Sequence, residues 1–278
     1  MAVIVLPSRT PAVSGTFYPS LPGRLRADVR RFLEQATAAP RRAVGILVPH
    51  AGYAYSGATA GAAFGAVDVP DTCIVLAPNH TGRGRARQGG SLLIDTAYRT
   101  PLGNVEPNAE LGAELRERAH PLLVEDPLAH ADEHAIEVLL PFLQMRNESV
   151  RVVPVVIGWD DWEPTARLAQ AIHDVIADRE DVLLVASSDM SHYEPAAASA
   201  DKDALALERV VALDGKGLLE VSRARHISMC GRVPVACALE VARRSGYTHG
   251  EVVAYSHSGL VNGNHDRVVG YAAALIGT

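Results

Sequence analysis

Two histidines directly follow predicted strands, and imidazole is a common protein ligand for transition metals. His50 follows the apolar run in residues 44–52 (VGILVPHAG), and His80 ends residues 73–80 (CIVLAPNH). Consecutive strands are often neighbours in a sheet, so both imidazoles are expected at one edge. Such a pair suits a transition metal. A histidine after a strand can also be a hydrogen-bonded structural residue, so the pair alone does not define a site.

Cys230 is the third candidate ligand. It lies in the segment SMCG, just before a helix that Pro234 is expected to help start. The partial positive charge at a helix N-terminus favours a thiolate, which is nucleophilic and binds metals. The alternative is a buried residue at a helix start. Cys73 and Cys237 are predicted to be small core residues, and three cysteines are too few for a disulfide framework.

Asp189 and His192 stand three residues apart in SSDMSH, just after a predicted strand. In a tight turn both side chains could face one cavity. A carboxylate beside an imidazole raises its basicity and fixes its tautomer, as a general acid or base requires. His192, oriented by Asp189, is therefore the candidate catalytic residue. The alternative is that Asp189 only caps backbone N–H groups of the turn.

The segment HADEH at residues 130–134 matches the H-x-x-E-H pattern of inverted zinc proteases. That chemistry needs both histidines on one helical face, with the glutamate between them as base. Here Asp132 is the expected N-cap, which would leave His130 outside the helix. The pattern therefore favours a peptidase only weakly. Glu133 and His134 are instead predicted to line a pocket from the helix start.

Three further residues are predicted to line the same pocket. Tyr53 and Tyr193 lie close in sequence to His50 and His192 and could contact an aromatic ligand. His257 ends another predicted strand and could either line the pocket or bond to backbone. The sequence has no G-x-S-x-G elbow, no P-loop and no G-x-G-x-x-G after a strand. Those absences argue against serine nucleophile chemistry and nucleotide cofactors.

Composition favours a folded protein of the cytoplasm. The chain has 278 residues, 48% of them hydrophobic, so it can bury a substantial core. Its net charge of −6 argues against a nucleic-acid or acidic-membrane partner, because phosphate binding needs clustered Lys and Arg. The N-terminus lacks a cationic signal region, and no apolar stretch is long enough to span a bilayer.

Strands and helices are predicted to alternate, which favours a single α/β domain over residues 1–278 with a central mixed or parallel sheet flanked by helices. In such sheets ligands bind beyond the carboxyl ends of the strands. Strands are predicted at 44–48, 73–77, 91–97, 150–157, 182–186, 251–255 and 267–275. Helices are predicted at 24–36, 57–64, 109–119, 133–145, 163–177, 200–213, 216–222 and 234–244.

Four local features carry expectations of their own. Ser56 is expected to cap the helix at 57–64, whose alanines and glycines would let it lie close to the sheet. Pro141 is expected to kink or end the helix at 133–145. Pro154 favours an edge strand or a bulge. Residues 82–90, with arginines among glycines, are expected to form a mobile loop near the site.

Five ordered motifs resemble the Memo family, also labelled AmmeMemoRadiSam system protein B in prokaryotes. The resemblance extends from SGTFYP near the N-terminus to VGYAA near the C-terminus. The motifs are VPHAGYxYSG at 48–57, LxPNH at 76–80, DEHAIEVxLPFL at 132–143, SSDxSHY at 187–193 and MCG at 229–231.

The resemblance implies a fold like that of class III extradiol dioxygenases. It places His50, His80 and Cys230 at the metal-site positions of Memo-like proteins, with Asp189 and His192 lining the same pocket. The ring-cleaving relatives hold iron with two histidines and a glutamate. Cys230 departs from that set, and its softer thiolate favours copper or zinc more than a carboxylate does. The expected cofactor is therefore iron or copper, with zinc also possible.

The function that these observations favour is a metal-dependent redox or dioxygenase-like protein, an oxidoreductase acting on an undefined small molecule. The prokaryotic label also implies a functional link with radical-SAM and AMMECR1-type proteins. A second hypothesis, from another class, is a non-catalytic module that binds a peptide or a small ligand in the same pocket.

Overall fold

The computed structural model describes residues 6–37, 39–84 and 89–278. The predicted mobile loop at 82–90 lies partly outside these ranges. The strands are β1 (Ser8–Arg9), β2 (Gly45–Val48), β3 (Thr72–Pro78), β4 (Gly90–Leu92), β5 (Ala97–Thr100), β6 (Gly103–Val105), β7 (Leu123–Glu125), β8 (Arg151–Ile157), β9 (Val182–Ser187), β10 (His192–Glu194), β11 (Gly250–His257) and β12 (Val268–Ile276). The helices are α1 (Pro22–Glu34), α2 (Tyr53–Gly65), α3 (Ala109–Arg118), α4 (Pro127–His130), α5 (His134–Glu137), α6 (Leu140–Arg146), α7 (Trp162–Ile176), α8 (Ala196–Val211), α9 (Gly215–Ala224), α10 (Arg232–Arg244) and α11 (Gly259–Asn262).

The main sheet is mixed and helices cover it, which confirms the predicted α/β architecture. Its strand order is β10-β12-β2-β9-β3-β8-β4-β7, with β11 paired to β12, while β1, β5 and β6 form a separate small sheet. The four central strands β2, β9, β3 and β8 run parallel. They are apolar and buried along nearly their whole length. Such strands need helices on both faces.

The two faces carry different sets of helices. Helices α3, α7, α8, α9 and α10 form one apolar cluster with the sheet, and α1, α2 and α6 form the other. None of the helices in the described ranges is long and apolar enough to cross a bilayer. The carboxyl ends of the parallel strands emerge between these two layers, at one edge.

The strands that precede His50 and His80 are not neighbours, contrary to the sequence-based expectation. β9 lies between them: its Val185 pairs with Ile46 of β2 on one side and with Val75 of β3 on the other. Both β2 and β3 are parallel to β9, so their carboxyl ends still meet at the same edge. The inserted strand brings the SSDMSH segment into the middle of the site.

Helix α2 lies close to the sheet, as predicted, against β11, β12 and β2, and its glycines also bring it close to α1. Gly57, Gly61 and Gly65 form a stripe at helical spacing. A Cβ added at Gly61 would lie 2.4 Å from the carbonyl oxygen of Phe32, and one at Gly65 would lie 2.3 Å from Cβ of Ala36. The stripe therefore lets two helix backbones touch.

Helix α2 also begins earlier than predicted. It starts at Tyr53 with Gly52 as its N-cap, and no side chain caps it. The Ser56 hydroxyl lies inside the helix and donates to the carbonyl of Ala51 at 2.9 Å. The predicted cap at Ser56 is wrong because the helix already begins within the glycine-containing loop after His50.

Two other predictions differ from the structure and one is confirmed. The strand expected at 91–97 is two strands, β4 and β5, in different sheets. Pro154 lies inside β8, paired with Val75, and not at an edge. The ladder from β8 to β4 ends at Val155, opposite Leu92, so Pro154 falls just beyond it. The expectation that Pro141 would kink or end the helix at 133–145 is confirmed, because α5 ends at Glu137 and Pro141 lies in the first turn of a second helix, α6.

The glycine stripe makes a stability prediction. Gly61→Ala should lower the free energy of unfolding by about 1–3 kcal/mol, because the added Cβ must push α1 away from α2. Chemical denaturation of the metal-free protein measures this. Gly23→Ala is the matched control, since nothing lies within 4 Å of a Cβ added there. Equal stabilities of the two variants would contradict the packing argument.

Candidate metal site

Three predicted ligands converge at the carboxyl edge of the sheet. The donor atoms of His50, His80 and Cys230 all lie within 4.8 Å of one another. His50 Nε2 and Cys230 Sγ are 3.3 Å apart, and the rings of His50 and His80 are 5.0 Å apart between centroids. The structure therefore brings together residues that are far apart in the chain.

Ser187, which sequence reasoning did not single out, fixes the ring of His50. His50 Nδ1 lies 2.6 Å from the Ser187 hydroxyl, and that hydroxyl donates to the carbonyl of Ala135 at 2.7 Å. A serine hydroxyl has one proton to give, so it accepts from His50 Nδ1–H. The lone pair of His50 is then on Nε2, which faces the sulfur of Cys230.

His50 is uncharged in this environment. Complete burial lowers its pKa well below the usual value, and the nearby charges of His80, His134 and His192 lower it further. A neutral imidazole with a fixed tautomer has its Nε2 lone pair free to bind a cation.

Glu133 fixes His80 in a similar way. Its Oε1 lies 2.9 Å from His80 Nδ1, and its Oε2 accepts the backbone N–H of His80 at 2.6 Å. An ionised carboxylate only accepts hydrogen bonds, so His80 Nδ1 carries a proton and Nε2 is left for a ligand. Carboxylate partners of this kind commonly orient metal-binding histidines.

The charged forms of His80 and Glu133 stabilise each other. Burial alone would lower the pKa of His80, but its hydrogen bonds to Cys230 and Glu133 raise it to about 10. Burial alone would raise the pKa of Glu133, yet the hydrogen bond from His80 brings it below its ordinary value. Without a cation, His80 is therefore a protonated imidazole beside an ionised carboxylate. A bound metal ion would replace its Nε2 proton.

Glu133 also caps helix α5, a role that the sequence had suggested for Asp132. The Glu133 carboxylate accepts the backbone N–H of Ala135 at 2.9 Å. Asp132 is instead at the surface, paired with Arg83. The predicted cap is thus displaced by one residue, because Glu133 reaches both the helix start and His80 from a fully buried position.

His134 completes a cluster of three imidazoles. Its ring is nearly parallel to that of His80, at 4.8 Å between centroids, and lies 5.5 Å from that of His50. His134 Nδ1 is 3.5 Å from Glu133 Oε1. The donor atoms of His80, Glu133 and His134 form a second group within 4.8 Å of one another.

Cys230 lies directly before the N-cap of α10, which is Gly231. The Gly231 N–H donates to the Ser188 hydroxyl at 2.9 Å, and Cys230 Sγ lies 3.7 Å from the carbonyl oxygen of Asp189. A Cβ at Gly231 would lie 2.1 Å from the carbonyl oxygen of Ser187. Only glycine allows this close approach, which places the thiol against the end of β9.

Asp189 supports the backbone of the site. Its Oδ1 accepts the N–H groups of His50 at 2.8 Å and of Ala51 at 3.3 Å. Burial raises its pKa to about 6, although the hydrogen bond from His50 opposes the shift. The capping role that the sequence left open is therefore present, but the capped segment is the loop after β2.

The structure does not support the predicted orientation of His192 by Asp189. His192 Nδ1 lies 3.0 Å from the carbonyl oxygen of Ser228, and the His192 N–H donates to the Ser228 hydroxyl at 2.8 Å. No hydrogen bond joins Asp189 and His192 among the described residues. A carbonyl only accepts, so His192 Nδ1 carries the proton and Nε2 is left free.

The other predicted pocket residues are dispersed. Tyr53 is buried in the core, where its hydroxyl donates to the carbonyl of Val138, so it does not line this site. The exposed ring of Tyr193 lies 5.8 Å from that of His192. The ring of His257 packs against His265 at 5.4 Å.

The H-x-x-E-H pattern does not form a peptidase site. His130 ends helix α4 and is buried, with its two ring nitrogens 2.8 Å from the Tyr98 hydroxyl and 3.1 Å from the Ser91 hydroxyl. It therefore does not join Glu133 and His134, as the peptidase chemistry would require.

The residues at this edge fit a transition-metal ion. Once the Nε2 proton of His80 is displaced, two imidazole nitrogens and a sulfur form a borderline-to-soft donor set, which suits copper, zinc and iron more than magnesium or calcium. Both histidines have hydrogen-bonded Nδ1 atoms, as metal-ligating histidines usually do. The set is thus chemically suited to a metal, although it does not specify which one.

Buried His130 makes a pH prediction. Burial, followed by the charge of Arg9, lowers its pKa from 6.5 to about 3. As pH falls below 6.5, an unfolded chain takes up this proton and the folded chain does not, so the free energy of unfolding falls. The loss is up to about 1.4 kcal/mol per pH unit.

Chemical denaturation between about pH 6.5 and about pH 4.5 tests this. His130→Gln, which cannot titrate, should show a shallower loss of stability with falling pH than the wild-type chain. His249→Gln, at an exposed position, should keep the wild-type slope. A His130→Gln slope equal to the wild-type slope would contradict the assignment.

Comparison with known proteins agrees with the motifs. The family model described as Memo-like protein matches residues 9–275. A MEMO1 family protein from Methanopyrus kandleri is 37% identical over 281 aligned residues, covering 96% of this chain and 98% of that protein. MEMO1 family proteins from Methanosarcina barkeri and Aquifex aeolicus are each 36% identical, covering 96% of this chain and 99% and 98% of those proteins. This chain therefore belongs to the Memo-like protein family.

Proposed function

We propose that this chain binds one redox-active transition-metal ion, copper or iron, through His50, His80 and Cys230, and that it uses the ion in oxidoreductase chemistry on a small molecule. The observation that carries the proposal is the convergence of three donor atoms within 4.8 Å. The ion would supply one-electron exchange with a bound substrate or with oxygen.

The hydrogen bonds behind the ligands support this proposal. Ser187 and Glu133 each engage an Nδ1 atom, so the Nε2 atoms of His50 and His80 need not rotate to bind. Folding already orders these side chains, so the binding of an ion costs less side-chain entropy.

His192 is the residue proposed to move protons. Ser228 holds its Nδ1–H, which leaves Nε2 to accept or return a proton. Asp189 acts on the backbone of His50 and is proposed as a positioning residue, because its carboxylate holds that loop and not the ring of His192.

Copper(I) binding tests the ligand assignment. His50→Ala, His80→Ala and Cys230→Ser should each weaken copper(I) binding by more than about 100-fold, since losing a ligand costs more than losing a hydrogen-bonded partner of a ligand. Competition with a chromogenic copper(I) chelator under anaerobic conditions measures the affinity.

Cys237→Ala and His249→Ala are the matched controls for this experiment. Cys237 is in the core and His249 is exposed, so both variants should bind copper(I) as the wild-type chain does. Full copper(I) affinity in all three ligand variants, each confirmed to be folded, would disprove the proposed site.

A second candidate function is the binding of a peptide or small ligand without turnover. Tyr193 and Tyr55 are 66% and 41% exposed, so both rings are available to stack on an aromatic or peptide ligand. This candidate uses the same pocket and predicts tight ligand binding with no consumption of oxygen.

Oxygen uptake separates the two candidates. Wild-type chain loaded with one equivalent of copper or iron should consume oxygen with at least one member of a panel of catechols and thiols. His192→Gln should slow that reaction by about 100-fold or more, because it cannot transfer a proton. Cys230→Ser protein given the same metal controls for free ions. No uptake by the wild-type chain, with tight peptide binding, would favour the second candidate.

A further inference from the structure

We infer that His80, Glu133 and His134 form a second metal position, which overlaps the first through His80 and prefers harder divalent cations such as Mn²⁺. The inference goes beyond the proposed function because it concerns a different donor set. It also gives a role to the EH pair of the H-x-x-E-H pattern.

The distances between the donor atoms fit a metal ion. Glu133 Oε1 lies 2.9 Å from His80 Nδ1 and 3.5 Å from His134 Nδ1. Neighbouring ligand atoms bound to one ion at about 2.0–2.1 Å lie about 2.9 Å apart in octahedral geometry and about 3.3 Å apart in tetrahedral geometry. The shorter observed separation matches the octahedral value and the longer one slightly exceeds the tetrahedral value, so the donor atoms need to move only slightly.

The three residues are held in place without a metal. Glu133 is fully buried and accepts the N–H groups of His80 and Ala135, which fixes both carboxylate oxygens. The rings of His80 and His134 are stacked at 4.8 Å and tilted by only 20°. Their side chains are 31% and 23% exposed, so a cation can reach them from solvent.

His80 links the two positions and makes them exclusive. It would serve the first position through Nε2, beside His50 and Cys230, and the second through Nδ1, beside Glu133. An ion bound at His80 Nδ1 would replace the proton that this atom donates to Glu133. The hydrogen bond that orients His80 Nε2 toward the first position would then be lost. The chain should therefore hold one ion at a time.

The donor sets differ in softness, which should sort metals between the two positions. The first set includes a thiolate and favours copper(I). The second has two imidazoles and a carboxylate, a set used for catalytic zinc and for non-haem iron, and it has no soft ligand. Mn²⁺ favours oxygen donors over thiolate, and only the second position offers it a carboxylate, so it should bind there.

Two metals and three variants test the inference. Mn²⁺ binding is followed by the loss of the free-ion electron paramagnetic resonance signal, and copper(I) binding by chelator competition. His134→Gln should weaken Mn²⁺ binding by at least about tenfold and leave copper(I) affinity within about threefold. Cys230→Ser should do the reverse, and His80→Ala should weaken both.

Wild-type protein loaded with one equivalent of copper(I) should fail to take up Mn²⁺. His249→Gln is the control for a surface histidine. The inference is overturned if folded wild-type chain binds no Mn²⁺, if His134→Gln binds it normally, or if Cys230→Ser loses it. None of these outcomes alters the copper(I) result, so failure here is distinct from failure of the first position.

Discussion

The site depends on two hydrogen bonds that stand behind its histidines. Ser187 accepts from His50 Nδ1 and Glu133 accepts from His80 Nδ1, so the ligand atom that each ring offers is Nε2. Without these bonds the two imidazoles could exchange tautomers and rotate, and the thiol of Cys230 would face an undefined partner. With these bonds in place, three metal-donor atoms from distant parts of the chain are oriented toward one position.

The fold supplies those hydrogen bonds through its strand order. β9 lies between β2 and β3, so Ser187 at its end is adjacent to His50, and the following Ser188 holds the loop of Cys230. Glu133 reaches His80 from the start of α5, on the other layer. The site is therefore the meeting point of both helical layers with the carboxyl edge of the sheet, where ligands of α/β sheets commonly bind.

The sequence predicted the elements and the residues that converge at the site better than it predicted the hydrogen bonds behind them. Apolar runs that end in histidine were enough to locate His50 and His80, because buried parallel strands have a distinctive composition. Strand order is set by packing across the whole sheet, so the neighbour of β2 could not be foreseen, and Ser187 was missed with it. The role of Glu133 depended on a helix starting one residue later than expected, and helix boundaries are only weakly encoded locally. The SSDMSH motif suggested an Asp189–His192 pair, but the turn placed Ser228 nearer to His192.

We propose that hydrogen bonds made on folding prepare these three donor atoms to bind a cation. The most direct measurement is anomalous X-ray diffraction from crystals loaded with copper(I) under anaerobic conditions. We expect one peak, at about 2.0–2.3 Å from His50 Nε2, His80 Nε2 and Cys230 Sγ. A peak that contacts none of these three atoms, or no peak in fully loaded crystals, would contradict the proposed site.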